Sequence, residues 1–421
     1  MVLAVTACAG NGNKPPAGDT VTTDATESAL GFDLAAMDCQ PDTDAQPSFN
    51  KYPWVTRAEN GYYYWVAANY DGFIMYYDPA SGQKVPLCNR PECRHDSEDC
   101  NAYFPDFVQW DVSSGRYSHR YIQYYQGSIY IIGCDDKDYA CLYRIAADGS
   151  SRECDTKLFR ADFSPSDGSD PAENQEWIDP YVTIHRGYAY YVDQREKTPV
   201  LRRVKLGGSG PEELYTTKGG ELPSIYRLEA YGDYLFFQTH DSMKDSSLPD
   251  EGLYVYDIKA GKVRMVKQDV IAPYLVTGGI LYYYYNGEIR SGSLARGKEK
   301  LLVKEAPCKD FFTDGHGFYF FDDETGKLYI YDEQGEFINS FTDKYLHTGY
   351  YGCDSQYMFA GGIAQEKGKP VIVENNSGEN PPLSFWLSQD KELLGVMDLS
   401  ELKKGTGKWK YLYNFDYLKT E

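Results

Sequence analysis

The sequence predicts an all-β protein, a β-propeller of seven four-stranded antiparallel blades, and three observations carry that prediction. A tyrosine-rich strand following a Gly-containing turn recurs seven times between residues 52 and 417. Sustained helical periodicity is almost absent from a 421-residue chain that holds 40 tyrosines. No linker breaks the run of copies, so one ring accounts for it better than two unrelated β-sandwiches, and closure also removes exposed strand edges. Six and eight blades are the neighbouring solutions.

The clearest copy is GFYFFDDETGKLYIYDEQGEFINSF, from Gly317 to Phe341. Apolar and aromatic side chains alternate with others across Lys327–Asp332, as a strand requires, because successive Cβ atoms point to opposite faces. Gly326 ends the intervening turn and supplies the positive φ that folds the two strands into a hairpin. The other aromatic strands begin at Gly61, Gly127, Gly187, Gly232 and Gly278, with a degraded seventh from Cys353. After most of them comes a Leu-Tyr-type strand, as in LYVYDIKAGKVRMV. Spacings shrink from about sixty to about forty residues, within the range of blades carrying insertions. In runs such as Tyr62–Trp65 and Tyr282–Tyr285, half of each run is expected between blades and half elsewhere.

Three segments are expected in order. In residues 1–8, Val5-Thr6-Ala7-Cys8 matches a lipobox, with Cys8 the lipidated residue. Neither a basic n-region nor a longer apolar stretch precedes it, as in a truncated signal. Residues 9–48, polar and poor in bulky apolar groups, read as a flexible tether, with a short ordered piece around Leu30–Met37. Residues 49–421 then form the propeller, with a Cys/His loop inserted at 86–120. A net charge of −21 repels phosphate backbones and anionic headgroups, so nucleic acid is disfavoured and any membrane attachment is through the lipid alone. No stretch approaches the eighteen apolar residues of a spanning helix.

The strongest chemical signal is LCNRPECRHDSEDCNAYF. Cys88, Cys93, His95 and Cys100 form C-x4-C-x-H-x4-C, three thiolates and an imidazole that would satisfy a closed tetrahedral zinc and staple a loop. Oxidation is the rival, since disulfides persist outside the cytoplasm. A redox metal with an open coordination position is the third reading. Without Cys8 nine cysteines remain, an odd number, so pairing is incomplete within one chain. Cys134 and Cys141 bracket a hairpin turn where a cross-strand bridge is plausible, and Cys39, Cys154, Cys308 and Cys353 read as scattered thiols. The oxygen-rich run from Asp162 to Glu173 lacks EF-hand spacing and reads as a solvated loop. Trp54, Trp110, Trp177 and Trp386 are candidate stacking residues for a sugar ring or a peptide, against blade core as the plainer reading. No H-E-x-x-H, P-loop, G-x-S-x-G or Rossmann fingerprint is present, and no catalytic residue is assigned.

Tyr319-Phe320-Phe321-Asp322 followed by Leu328-Tyr329-Ile330-Tyr331-Asp332, with Tyr190-Tyr191-Val192-Asp193, resembles the YWTD-type propeller repeat. No YWTD occurs as such, and those propellers usually have six blades. Over residues 50–417 the chain is similar to Tyr-rich β-propeller lipoproteins of Gram-positive anaerobes, more loosely to TolB-like propellers. There the segment matching Leu87, Cys88, Cys93, His95, Cys100, Asn101 and Ala102 follows the first blade. The resemblance implies an extracytoplasmic propeller and brings no activity with it. The expectation is therefore a lipid-anchored scaffold that binds a protein, peptide or glycan through its loop-bearing end. The alternative is a polysaccharide- or peptide-acting enzyme using carboxylates in the central funnel, betrayed by perturbed carboxyls gathered at one mouth.

Overall fold

Seven second strands, each a short run of apolar and aromatic residues, set the architecture in the computed structural model. It describes residues 39–40, 43–45, 55–68, 71–95, 97–104, 122–134, 139–160, 182–193, 198–217, 223–241, 251–270, 273–293, 299–308, 310–322, 325–342, 350–364, 371–374, 384–387 and 391–412. Seven antiparallel sheets follow one another along the chain: blade 1 (55–104), blade 2 (122–160), blade 3 (182–216), blade 4 (223–268), blade 5 (274–303), blade 6 (311–342) and blade 7 (350–411). Within each, four strand positions run outward in chain order. Gly326 has φ +65°, as the hairpin required. Among the described residues the one helix is Leu399–Lys403, too short to cross a membrane, capped by Asp398.

The buried side chains fall into seven clusters, and each cluster straddles one seam between neighbouring blades. Tyr62 and Tyr64 belong to the seam between blades 7 and 1, whereas Tyr63 and Trp65 belong to that between 1 and 2. Tyr283 and Tyr282 divide in the same way between the seams on either side of blade 5. The expectation that half of each run points away from the seams is thus corrected. A middle strand is covered on both faces, so both residue sets of the period-two pattern are apolar.

Among the described residues every blade is built from one continuous stretch, and no strand from the N-terminal region pairs with blade 7. Side chains close the ring instead. Tyr64 Oη donates to Leu412 O at 2.8 Å, Tyr62 Oη donates to Asp354, and Arg57 stands 3.4 Å from the same carboxylate. The Tyr62 and Phe359 rings pack with centroids 4.7 Å apart.

The first strands are Val55–Arg57, Ile122–Tyr125, Val182–His185, Pro223–Tyr231, Tyr274–Thr277, Phe311–Thr313 and Tyr350–Cys353. At one equivalent level they carry a belt of side-chain staples to the next blade's backbone. Thr56 Oγ1 accepts from Tyr124 N at 2.9 Å. Gln123 grips both Ile184 O and Ile184 N, at 2.9 and 2.8 Å. Thr183 Oγ1 donates to Leu228 O and Glu229 accepts from Val276 N, each at 2.8 Å. Leu275 and Phe312 occupy the corresponding places in blades 5 and 6 and pack instead into the apolar clusters.

Antiparallel connectivity sorts the connections between two ends of the ring. The first-to-second and third-to-fourth turns share one end. The second-to-third and blade-to-blade connections share the other, and these include 105–121, 161–181, 242–250 and 365–390. From the last of these the hairpin Val371–Glu374/Ser384–Leu387 is described, pairing Trp386 with Ile372.

Candidate metal centre

Blade 1 has its outer strand broken in two. Lys84–Pro86 pairs with Met75–Tyr77, and Tyr103–Phe104 continues the same line against Gly72 and Phe73. Ile74 holds both pieces: its carbonyl accepts from Leu87 N at 2.9 Å and its amide donates to Ala102 O at 3.0 Å. Residues 87–102 leave the strand at this break and return to it. The Cys/His insertion is thus a long bulge on the rim of the ring, away from the centre.

Inside the bulge, the ligating atoms of Cys88, Cys93, His95 and Cys100 all lie within 4.8 Å of one another. His95 Nδ1 is 3.3 Å from Cys100 Sγ. A tetrahedral zinc with bonds of about 2.3 Å to sulfur separates its sulfurs by about 3.8 Å, so the donor set has the right size. Tight turns gather it, with Cys93 N donating to Arg90 O at 3.1 Å and Cys100 N to Ser97 O at 2.9 Å. His95 takes φ +58°, a left-handed conformation uncommon for a residue with a side chain.

The thiols differ in character. Burial pushes the Cys88 thiol up, but the amides of Arg90 and Asn101 and the neighbouring Cys93 and Cys100 reverse this and leave it below its ordinary value. Burial pushes Cys100 up to about 12, helped by the charges of Cys93 and Cys88 and opposed by the Ala102 amide. Ionised together at this spacing, the three thiols would repel one another, a cost that a cation among them would remove. The four protein donors leave no obvious position for a reacting ligand.

The bulge is pressed against blade 2. Gly149 O accepts from Asn101 Nδ2 at 2.8 Å and from Asn89 N at 3.3 Å. Gly149 itself sits at φ +73°, where a Cβ would come within 2.7 Å of Cys88 N. Arg152 donates to Tyr103 O and, at 2.6 Å, to Glu98 O, with its guanidinium 5.0 Å from the Phe104 ring centroid. Leu87, Cys100, Ala102 and Phe104 join Ile129, Ile131 and Ile145 of blade 2 in one apolar cluster.

The other candidate residues are not brought to this place. Cys141 lies opposite Gly133 and Cys134 opposite Ala140, so the two cysteines are one position out of register as cross-strand partners. Cys39 is exposed, whereas Cys154 in blade 2, Cys308 in the connection from blade 5 to blade 6, and Cys353 in blade 7 are half-buried. Cys8, Leu30–Met37, the run Asp162–Glu173, Trp54, Trp110 and Trp177 lie outside the described residues. The staples Gln123 and Glu229 went unread in the sequence, since nothing local marks them.

No protein-family model matches the chain, and no curated protein matches it. Solved structures do. A prolyl endopeptidase superposes with a TM-score of 0.48 at 13% identity, over 88% of this chain and 50% of its own. This chain therefore spans about half the length of that enzyme. An oligogalacturonate lyase in complex with manganese gives 0.45 at 12% identity, over 80% of this chain and 93% of its own. TolB from Acinetobacter baumannii gives 0.37 at 13%, over 85% and 78%. At these identities the likeness is one of fold.

Proposed function

We propose that this protein is a lipid-anchored, extracytoplasmic β-propeller that binds a protein or peptide partner, or alternatively a glycan, through its insert-bearing end, without catalysis. The observation that carries this reading is the sorting of connections between the two ends. The connections 105–121, 161–181, 242–250 and 365–390 leave from one end, and residues 43–45, near the close of the proposed tether, contact the turns of the other. A tether leaving there presents the inserts away from the membrane, where long connections on a rigid scaffold serve recognition. The enzyme reading asks for several perturbed carboxyls at one mouth. Glu229, whose carboxyl burial pushes up to about 8, is instead taken up in the seam between blades 4 and 5.

The test replaces 365–390 by a short Gly-Ser turn and screens wild type and variant against peptide and glycan arrays. Binding confined to the wild type, with both chains folded, supports the reading. Equal binding by both chains removes the insert hairpin from the site, and turnover of an arrayed glycan or peptide favours the enzyme.

Within the same reading, zinc fills the Cys88, Cys93, His95 and Cys100 site in a structural role. The donor set and the spacing of its ligating atoms support zinc. Metal analysis after purification under reducing conditions is expected to give one zinc per chain. Its absence, with two of the thiols oxidised, favours the disulfide.

A further inference from the structure

The segment ahead of the ring is seated on it by contacts to three blades. Residues 40–44 close a turn on themselves, the amides of Thr43 and Asp44 donating to Gln40 O at 2.9 and 2.7 Å and Gln40 N donating to Asp44 Oδ2 at 2.9 Å. Thr43 O then accepts from Tyr125 Oη of blade 2 at 2.9 Å and from Arg186 N of blade 3 at 2.7 Å. Asp44 Oδ1 receives Arg186 Nε at 2.6 Å. Arg186 also reaches Asp233 of blade 4, which holds Lys259 at 2.7 Å.

The last contact fixes a protonation state. Ala45 N donates to His185 Nδ1 at 2.8 Å, while His185 Nε2 stands 2.7 Å from Gly232 O. An amide N–H can only donate and a carbonyl can only accept, so Nδ1 carries the lone pair, Nε2 carries the proton, and the imidazole is neutral. A second proton, on Nδ1, would face the Ala45 N–H and turn an attraction into a repulsion.

We propose that the Gln40–Ala45 turn is a latch, seated in a peptide-binding site at the tether end of the ring, and that it stays seated only while His185 is neutral. The site recognises a carbonyl through a tyrosine hydroxyl and an amide, a carboxylate through Arg186, and an amide through the imidazole. The latch stands whether or not the chain carries a lipid.

The charged groups facing His185 are Asp44 from the segment, 3.7 Å from Nε2, Arg186 from its own turn, and Asp233 from blade 4. Burial disfavours the imidazolium most; the Gly232 carbonyl and the two aspartates favour it, Arg186 opposes it, and the net direction is down. With the segment seated, Nδ1 cannot take a proton without losing the Ala45 N–H, whereas release leaves Nδ1 free to accept one. Seating is therefore strongest while the imidazole is neutral and weakens as the pH falls through the range where His185 gains its second proton.

Hydrogen exchange on the full chain at pH 7.5 and 5.0, with times scaled to intrinsic rates, tests this. The expected result is protection of the 43–45 amides at pH 7.5 that drops about tenfold or more at pH 5.0, while strand Ile280–Tyr285 keeps its protection. In His185→Gln, which has no proton to gain, the step between the two pH values disappears. Equal protection at both pH values, no protection at either, loss spread evenly over the blades, or a step that persists in His185→Gln would each overturn the proposal.

Discussion

Glu229 shows how a single side chain can serve a seam and carry a cost with it. The residue keeps part of its surface exposed, yet its carboxyl end is enclosed and takes the Val276 amide. Burial raises its pKa to about 8 from an ordinary 4.5, against the pull of that amide and of Arg227. The native state therefore holds a proton that the unfolded chain releases, and stability falls as the pH climbs from the lower value to the higher. Glu229→Gln keeps an acceptor and loses the charge. It is expected to match wild type near pH 4.5 and to be more stable by about 1–3 kcal/mol at pH 8.5 in urea titrations. Gly149 is the second informative position. Gly149→Ala adds a Cβ in left-handed backbone against Cys88 N. A loss of about 1–3 kcal/mol is expected in the same titrations, with weaker metal retention during dialysis. At this scale the sequence yields its secrets unevenly. Cys88, Cys93, His95 and Cys100 stand out because such residues are rare and the four lie close along the chain. Gln123 and Glu229 are ordinary polar residues within strands, whose partners lie 61 and 47 residues away. Only the packing of neighbouring blades brings those partners near.

Among the elements, the split outer strand of blade 1 does most to explain the cysteine loop. A bulge of this length breaks the ladder at Ile74; in the proposed reading a cation at its neck would join the two pieces while the loop bears on blade 2. Chelation under reducing conditions is therefore expected to lower the midpoint of thermal unfolding by roughly 5 °C or more. Cys100→Ser should do the same without chelator. Hydrogen exchange should then rise first at residues 87–104 and at the Gly149 turn. An unchanged midpoint after complete metal removal would leave the loop without a structural role for the ion. The aromatic second strands are readable because both of their faces are buried and the run is nearly unbroken. The third strands Val200–Lys205 and Glu288–Ser293 are harder to read. They carry Arg202, Arg203 and Arg290 instead of tyrosines, pairing with Asp193 at 3.3 Å and with Glu212 and Glu288 at 2.7 Å each. Such pairs give a strand no apolar signature. The bulge within the outer strand also escapes a linear reading, because two separated short segments there act as one strand.

On the scale of the molecule, no strand is shared between blades 7 and 1 among the described residues, and the contacts seen at that seam are made by side chains. Tyr64 is wholly buried there and donates to Leu412 O. Tyr64→Phe leaves that carbonyl short of a partner, and a loss of about 1–2 kcal/mol is expected in urea titrations. A change below about 0.3 kcal/mol would show that packing alone closes the ring. The sevenfold repeat was legible because each blade buries the same kind of strand. The closure was not, since it depends on Tyr62, Tyr64 and Arg57 meeting residues some three hundred positions later. The two ends of this ring differ in what they carry, short turns and residues 43–45 at one, long connections at the other. Photo-crosslinking in cells that make the protein natively tests that division most directly, with the reactive residue placed either in 365–390 or in the turn at Gly261. The account predicts discrete adducts with a partner from the first position and none from the second. Adducts arising only from the Gly261 turn would contradict it.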